Sequence, residues 1–353
     1  MNLLVFTHAF LPVYGGLEKF LHELARSLIS KGHRVTVLTW KLDPSSPFEE
    51  VMDGIAVSRF SSMKDLLNRI SAMKQRHTFD LAVVAEPSGK HVLVSRTIRR
   101  ELRIPLLLNL LGTASETAPR WAKVLNSHYA THIVACSQYC AKMFGFGKSK
   151  TRVIPHGIPA ASIRDRFTPV IHPLKALCTC RIVRRKGLET LIRAAAMSPM
   201  VEYRIVGNPD LDPEYTRELE SLKLRLSANN VEFLGRIDEE TLRREYEQAN
   251  IFVLPTLHEM FGIVFIEAMA AGLPVISTNA TAIPEVVTED CGFLIKPGDA
   301  SGLAEHILNF QDPRFHERFA RGALARAASF CFESTVERYL DAFESMRASQ
   351  RST

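Results

Sequence analysis

Asn250-Ile-Phe-Val-Leu-Pro-Thr-Leu-His-Glu-Met-Phe-Gly-Ile-Val-Phe-Ile-Glu-Ala-Met-Ala-Ala-Gly272 reads as a strand, a turn and a helix in immediate succession. Ile251 to Leu254 is a short apolar run stopped by Pro255, the pattern of a strand buried on both faces of a parallel sheet. A polar turn with His258 and Glu259 follows. From about Phe261 the spacing predicts a helix that is apolar nearly all round and ends at Gly272 and Pro274. Glu267 is the one carboxylate inside it, and a lone acid in apolar surroundings is costly unless something bonds it. A turn that leaves a strand and opens a helix offers free amide N–H groups and the positive end of the helix dipole, which favours an anionic ligand. With a mostly helical segment between them, Glu259 and Glu267 lie about 12 Å apart along the axis. Acid pairs of glycoside hydrolysis stand roughly 5 to 9.5 Å apart. The separation therefore suits two ends of one extended ligand, with a phosphate near the helix start. The competing reading is a solvated loop acid and a salt-bridged helix acid.

The chain has 353 residues, 46% of them hydrophobic, which predicts two domains with well-packed cores. No run approaches the roughly 18 uninterrupted apolar residues of a membrane span. The opening Met-Asn-Leu-Leu-Val-Phe-Thr-His lacks the basic flank and small-residue cleavage site of a signal peptide and reads as a first strand. Cys136, Cys140, Cys178, Cys180, Cys291 and Cys331 form no Cys-x-x-Cys pair, as expected of free thiols in a reducing cytoplasm. The formal charge of +6 permits attraction to anionic lipid or acidic ligands. It comes with no nucleic-acid recognition motif.

Outward from the central stretch, strands and helices alternate in both halves. Leu3 to Thr7 is a strand whose loop, His8 to Tyr14, reaches Gly15-Gly16, and a helix with Phe20, Leu21, Leu24 and Leu28 at helical spacing follows. Val35 to Trp40 completes a βαβ unit, and the glycine pair lets bare backbone approach a ligand. The full dinucleotide pattern Gly-x-Gly-x-x-Gly is missing, which argues against a dehydrogenase. Further strands are expected at Ile55 to Phe60, Leu81 to Ala85, Leu106 to Leu111, Ile133 to Ala135 and Val153-Ile154. A basic amphipathic helix covers Met63 to Met73, a domain-surface helix with a membrane-surface role as its rival. Three prolines between Ile158 and Pro173 mark the linker. The second half repeats the alternation, with strands at Leu177 to Thr179, Tyr203 to Val206, Val231 to Leu234, Ile251 to Leu254, Val275 to Thr278 and Gly292 to Ile295. The fold class is α/β, with two doubly wound Rossmann-like domains facing a cleft.

These residues resemble the retaining, nucleotide-sugar-dependent glycosyltransferases of GT-B fold known as glycosyl transferases group 1, or family four. The resemblance spans essentially the whole chain and is carried by Arg181 with Arg185-Lys186-Gly187, Gly207, Gly235-Arg236, Pro255, Glu259 to Gly262, Glu267-Ala268, Gly272 to Val275, Pro284-Glu285 and Gly292. It implies that Arg181 and Lys186 hold the donor diphosphate and that Glu267 bonds the ribose hydroxyls. It places Glu259 by the transferred sugar, the amides of Met260, Phe261, Gly262 and Ile263 on sugar and phosphate, and the backbone at Arg236-Ile237 on the base. Gly207 and, from the first domain, Gly15 and Gly16 complete the donor-binding set. Glu259, Arg181 and Lys186 are the catalytic candidates. A nucleoside diphosphate sugar is the donor substrate, with no further cofactor, and no metal ligand set is visible. The implied domains are residues 1–165 on the acceptor side, residues 166–334 on the donor side, and a last helix, about Thr335 to Met346 with Val336, Tyr339, Leu340 and Phe343, returning within residues 335–353 to the first domain.

Three positions depart from the family pattern. Where many members carry a histidine after the strand at Leu106 to Leu111, this chain has Leu111-Gly112, with Asn109 the only polar residue in the run. Asn-Gly-Ile-Asp is replaced by His156-Gly157-Ile158-Pro159, and Gly-Gly before Ile-Pro-Glu by Thr281-Ala282. His8, from the first loop, is the candidate stand-in for the missing histidine, with a structural histidine at a strand end as the competing reading. The expected function is transfer of a hexose to an acceptor hydroxyl with retention, in glycan, glycolipid or polysaccharide synthesis. The expected acceptor is glycan or lipid-linked, met in the cytoplasm or peripherally at the inner face of the plasma membrane with its anionic surface. A catalytically impaired nucleotide-sugar-binding scaffold and a nucleotide-sugar epimerase of the same fold are the alternatives.

Overall fold

The structure, a computed structural model, describes residues 1–13, 15–76, 78–170 and 172–351. Tyr14, read above as loop, Ile171, read as linker, and Ser352 and Thr353 of the tail lie outside the described residues. The chain divides into two units, Met1–His156 together with the segment from Ser334, and Gly157–Glu333. The first boundary precedes the expected residue 165, because chain beyond Gly157 bonds into the second unit: Ile158 bridges to Cys331, and Arg164 N–H donates to Ala270 O at 2.8 Å.

The first unit is built on β1 (Asn2–Thr7), β2 (Arg34–Trp40), β3 (Glu49–Met52), β4 (Ile55–Phe60), β5 (Leu81–Ala85), β6 (Leu106–Leu110), β7 (His132–Ala135) and β8 (Thr151–Val153). Their order across the sheet is β3-β4-β2-β1-β5-β6-β7-β8. All pairs are parallel except β3 with β4. β5 and β6 are buried along their whole length, which is why they read as unbroken apolar runs. The helix Met63–Arg76 turns Leu66 and Ile70 into the core, while Arg69 on its other side pairs with Asp65 and Glu49. Its apolar face is spent inside the unit, so it is a domain-surface helix.

The last helix, Phe332–Arg351, belongs to this first unit. Val336, Tyr339, Ala342, Phe343 and Met346 are buried at the spacing of one helical face. Tyr339 lies 6.2 Å from the Phe20 ring, Thr335 Oγ1 donates to Pro155 O at 3.1 Å, and Arg347 pairs with Asp80 at 3.3 Å.

The second unit has β9 (Leu174–Thr179), β10 (Val201–Val206), β11 (Val231–Gly235), β12 (Ile251–Leu254), β13 (Val275–Thr278) and β14 (Gly292–Ile295), all parallel, in the order β11-β10-β9-β12-β13-β14. The chain runs outward from β9 in one direction and then restarts at β12 in the other. The carboxyl ends of β9 and β12 thus form the switch point, where open α/β sheets hold their ligands.

The helix after β12 runs over Ile263–Ala270, shorter than expected at its start. Residues 255–262 form a loop, so the premise of a helical segment between Glu259 and Glu267 fails and the 12 Å axial argument with it. Its end is as expected. Gly272 N–H donates to Met269 O at 2.9 Å and Leu273 N–H to Ala268 O at 3.0 Å, the paired bonds of a Schellman motif, with Gly272 at φ 79°.

Candidate active site

Lys186 and Glu259 meet at the switch point of the second sheet, 73 positions apart in the chain. The Lys186 ammonium donates to Glu259 Oε1, and their side chains are only 9% and 14% exposed. Two charges withdrawn this far from water repay their desolvation only through each other and further polar partners. The surrounding backbone fixes the pair. Arg185 O accepts from Leu257 N–H at 2.8 Å and from Thr256 Oγ1 at 3.0 Å, which clamps the turn Arg184–Lys186 after β9 onto the loop after β12. Gly187 makes that clamp possible. It sits at φ 64°, and a Cβ there would stand 2.2 Å from Pro255 O, so no side chain fits. From the turn after β13, Thr281 Oγ1 accepts the Glu259 N–H at 2.9 Å, and Ala282 N–H donates to Glu259 O at 3.3 Å.

The remaining residues singled out in this unit lie along the same carboxyl edge. Arg181 follows β9 and is exposed. Gly207 follows β10, and its N–H donates to Gly235 O at 3.0 Å, which ties the end of β10 to the exposed Arg236 and half-buried Ile237 after β11. A Cβ at Gly207 would lie 2.2 Å from Cys180 O, so glycine is required where these strand ends crowd. Met260 and Phe261 turn their side chains into the core, each 4% exposed, and Phe261 packs 5.8 Å from Phe330. Gly262, at φ 90°, caps the helix that Ile263 opens.

Arg184, beside Lys186, is committed elsewhere, through a bidentate pair with Glu218 at 2.6 and 2.7 Å. Glu267 is half-buried and has a partner within the chain. Tyr246, on the helix Glu239–Gln248, shares its hydroxyl with Thr179 Oγ1 at 2.9 Å and hydrogen-bonds the Glu267 carboxylate. Burial and the Glu267 charge push the phenol well above its ordinary range. The need for a partner that the sequence raised at Glu267 is therefore met by Tyr246, a residue no motif had flagged.

Residues 164–325 match the model of glycosyl transferases group 1, and residues 14–162 that of glycosyltransferase family 4. The chain belongs to the group 1 glycosyltransferases. Its fold is GT-B. The chain is 26% identical over 343 residues to a phosphatidyl-myo-inositol mannosyltransferase of Mycolicibacterium smegmatis, covering 90% of this chain and 85% of the relative. Sucrose-phosphate synthase from Thermosynechococcus elongatus superposes with a TM-score of 0.82 at 23% identity, over 99% of each chain. Anabaena HepE, solved in complex with UDP-glucose, gives 0.80 at 20% identity over 98% of this chain and all of that one, 100%.

In the first unit of this group 1 glycosyltransferase, Gly15 caps the helix Gly16–Ser30, and both glycines are exposed. The position of the missing histidine is organised by an acid. Glu86, buried at the end of β5 and at φ 55°, accepts the N–H groups of Leu111, at 2.5 Å, Gly112 and Ala114, at 3.1 Å. Asn109 faces the last helix and accepts from the Tyr339 hydroxyl. His156 is buried against Phe20, ring centroids 4.2 Å apart, and burial pushes its imidazole down to about 3, so it packs as a neutral ring. His8 stays exposed at the end of β1, held below its ordinary value by partial burial and then by Lys90. Among the described residues no group of three or more His, Cys, Asp or Glu is arranged to hold a metal ion, and no helix is long and apolar enough to cross a membrane.

Proposed function

We propose that this glycosyltransferase moves a hexose from a nucleoside diphosphate sugar to an acceptor hydroxyl with retention, the acceptor being lipid-linked and met at the inner face of the plasma membrane. The observation that carries the donor reading is the buried Lys186–Glu259 pair at the switch point. An ammonium has three donors, so Lys186 can turn to a diphosphate while remaining beside Glu259, and Arg181 offers a second, exposed cation from the same strand end. As the bond from the sugar C1 to the phosphate oxygen breaks, negative charge grows on the leaving diphosphate, and fixed cations stabilise that charge more than the ground state. The acceptor oxygen attacks C1 on the face the phosphate leaves, and its proton passes to the departing phosphate oxygen. Glu259, paired to Lys186, suits a hydrogen-bonding role toward the sugar better than that of a free nucleophile. Glu267 takes the ribose hydroxyls, and the backbone at Arg236-Ile237 takes the base. The lipid-linked acceptor is supported by the relative whose name carries phosphatidylinositol. Thermal unfolding with UDP-, GDP- and ADP-sugars tests the donor class. One of the three should raise the midpoint, and Lys186→Ala should cancel that rise. The reading falls if none of the sugars protects the wild type.

A further inference from the structure

The helix Arg120–Tyr129 is packed inside out. Ala122, Lys123, Asn126 and Ser127 face the interior, and Trp121, Val124 and Leu125 face solvent, 57%, 43% and 38% exposed. An ordinary surface helix turns the other way. Hydrogen bonds of the polar face lock the rotation. Asn126 Oδ1 accepts from Ser95 Oγ at 2.9 Å, and its Nδ2 donates to Ser88 O at 3.1 Å. Lys123 Nζ donates to Met143 O at 3.0 Å, and Lys150 Nζ to Ser127 O at 2.5 Å. Rolling the apolar stripe inward would break all four.

Neighbouring helices of the same unit also carry exposed apolar residues. Met143, carried on the helix bonded by Lys123, is 38% exposed, and Leu93, on the helix His91–Thr97 packed alongside, is 39% exposed. The Trp121 ring lies over Gly89, next to Lys90. Exposed apolar side chains grouped on neighbouring helices, a tryptophan among them, mark a surface that something covers.

The charge around the stripe says what. Residues 87–152 contain eleven Lys and Arg against two acids, a balance of +9, while the whole chain carries only +6. Lys90, Arg120 and Lys142 adjoin Gly89, Trp121 and Met143 in sequence, and all three are exposed. Neither acid opposes them. Glu116 is bonded by the Tyr139 hydroxyl at 3.3 Å, and Glu101 lies beside Lys74 and Arg100. A second copy seated symmetrically on this face would set cation against cation. An interfacial tryptophan and aliphatic side chains ringed by lysine and arginine instead match the boundary of a bilayer with anionic headgroups.

We infer that the face formed by Leu93, Trp121, Val124, Leu125 and Met143 docks the protein on an anionic lipid bilayer, the apolar tips entering the headgroup boundary. The inference rests on the lipid-linked acceptor reading for its purpose and moves the membrane contact from Met63–Arg76 to Arg120–Tyr129.

The test uses the full chain without donor, with vesicles of phosphatidylcholine alone or mixed with phosphatidylglycerol. In a Trp40→Phe variant, Trp121 is the only tryptophan, and its emission should shift to the blue with the anionic vesicles. Flotation with them should weaken at high salt, and Trp121→Glu with Leu125→Glu should lower it about tenfold or more. Arg120→Glu with Lys142→Glu should lower only the binding that salt removes. Unchanged thermal protection by the donor would show that these variants are folded. No emission shift and no flotation of the wild type overturns the inference. So does a dimer in solution that Leu125→Glu dissolves. A protein that floats but glycosylates only soluble acceptors would sink the acceptor reading and leave the docking face standing.

Discussion

The Tyr339 hydroxyl donates to Asn109 Oδ1 at 2.9 Å, joining residues 230 positions apart. Both side chains are fully buried, and Asn109 Nδ2 has no hydrogen-bond partner among the described residues. Tyr339→Phe would leave the asparagine oxygen without a partner as well. The expected loss of stability is about 1–3 kcal/mol, while Asn109→Leu combined with Tyr339→Phe should recover part of it, because an apolar pair needs no partner. Chemical denaturation of the three variants measures this.

Lys186→Ala should lower the transfer rate about a hundredfold, through lost stabilisation of the leaving diphosphate. It should also cost about 3 kcal/mol of stability, because Glu259 is left as an unpaired charge. Adding Glu259→Gln should restore stability and leave the rate low. A double variant that regains turnover would reduce the pair to a structural one.

Glu267 and Tyr246 separate ligand binding from packing. Glu267→Gln removes the charge a ribose would meet and should weaken nucleotide binding about tenfold, with a matching fall in thermal protection. Tyr246→Phe should cost the apoprotein about 1 kcal/mol, the hydroxyl being bonded inside the unit, while nucleotide affinity stays within about a factor of two or three. Equal behaviour of the two variants in nucleotide titration would make Glu267 a packing acid.

Acid should destabilise the first unit through two histidines. Burial pushes His156 down to about 3 and His91 down to about 4 from an ordinary 6.5. Both are neutral when folded, and unfolding lets them take up protons. Their contribution is fully present above about pH 6.5 and is lost as the pH falls from there toward the folded values. Each adds a slope of about 1.4 kcal/mol per pH unit in that window. His156→Asn should flatten the fall in stability below pH 6.5, read by denaturation midpoints across the range.

What could be read ahead of the structure followed from how each element is buried. Ile251–Leu254, like Leu81–Ala85 of the other sheet, lies inside a parallel sheet and is buried along its whole length, so its residues are apolar without interruption, and the breaker Pro255 sets its end. Glu49–Met52 went unread because it is a half-exposed edge strand of mixed polarity. Its clue was Asp53-Gly54, both at positive φ, the pair that favours a two-residue hairpin. The helices Ala300–Asn309 and Pro313–Ala328 were also passed over. Within the candidate site, local pattern singled out Glu259 and Glu267, and the family resemblance Lys186, but neither named their partners. Lys186 meets Glu259, and Thr179 meets Tyr246, only because the sheet reverses direction between β9 and β12. Thr281 shows the same limit. It sits at φ 53°, a region unfavourable for a branched side chain, where the family pattern has glycine, and its hydroxyl accepts the Glu259 amide. A helix at about Ala118 to Ala130 is legible in the sequence, but its outward apolar side is not: its spacing is regular, and spacing alone does not say which side faces water.

The two crossings of the chain run beside each other, with Ile158 N–H donating to Phe330 O and Phe332 N–H to Ile158 O, both at 2.9 Å. The second unit is in effect an insertion whose two ends are tied together, and every strand of its sheet has been synthesised by Ile295. The first unit begins earlier but lacks Tyr339, Phe343 and Met346 of its core until the last helix is made. The half translated first therefore completes its core only after the half translated second has been made.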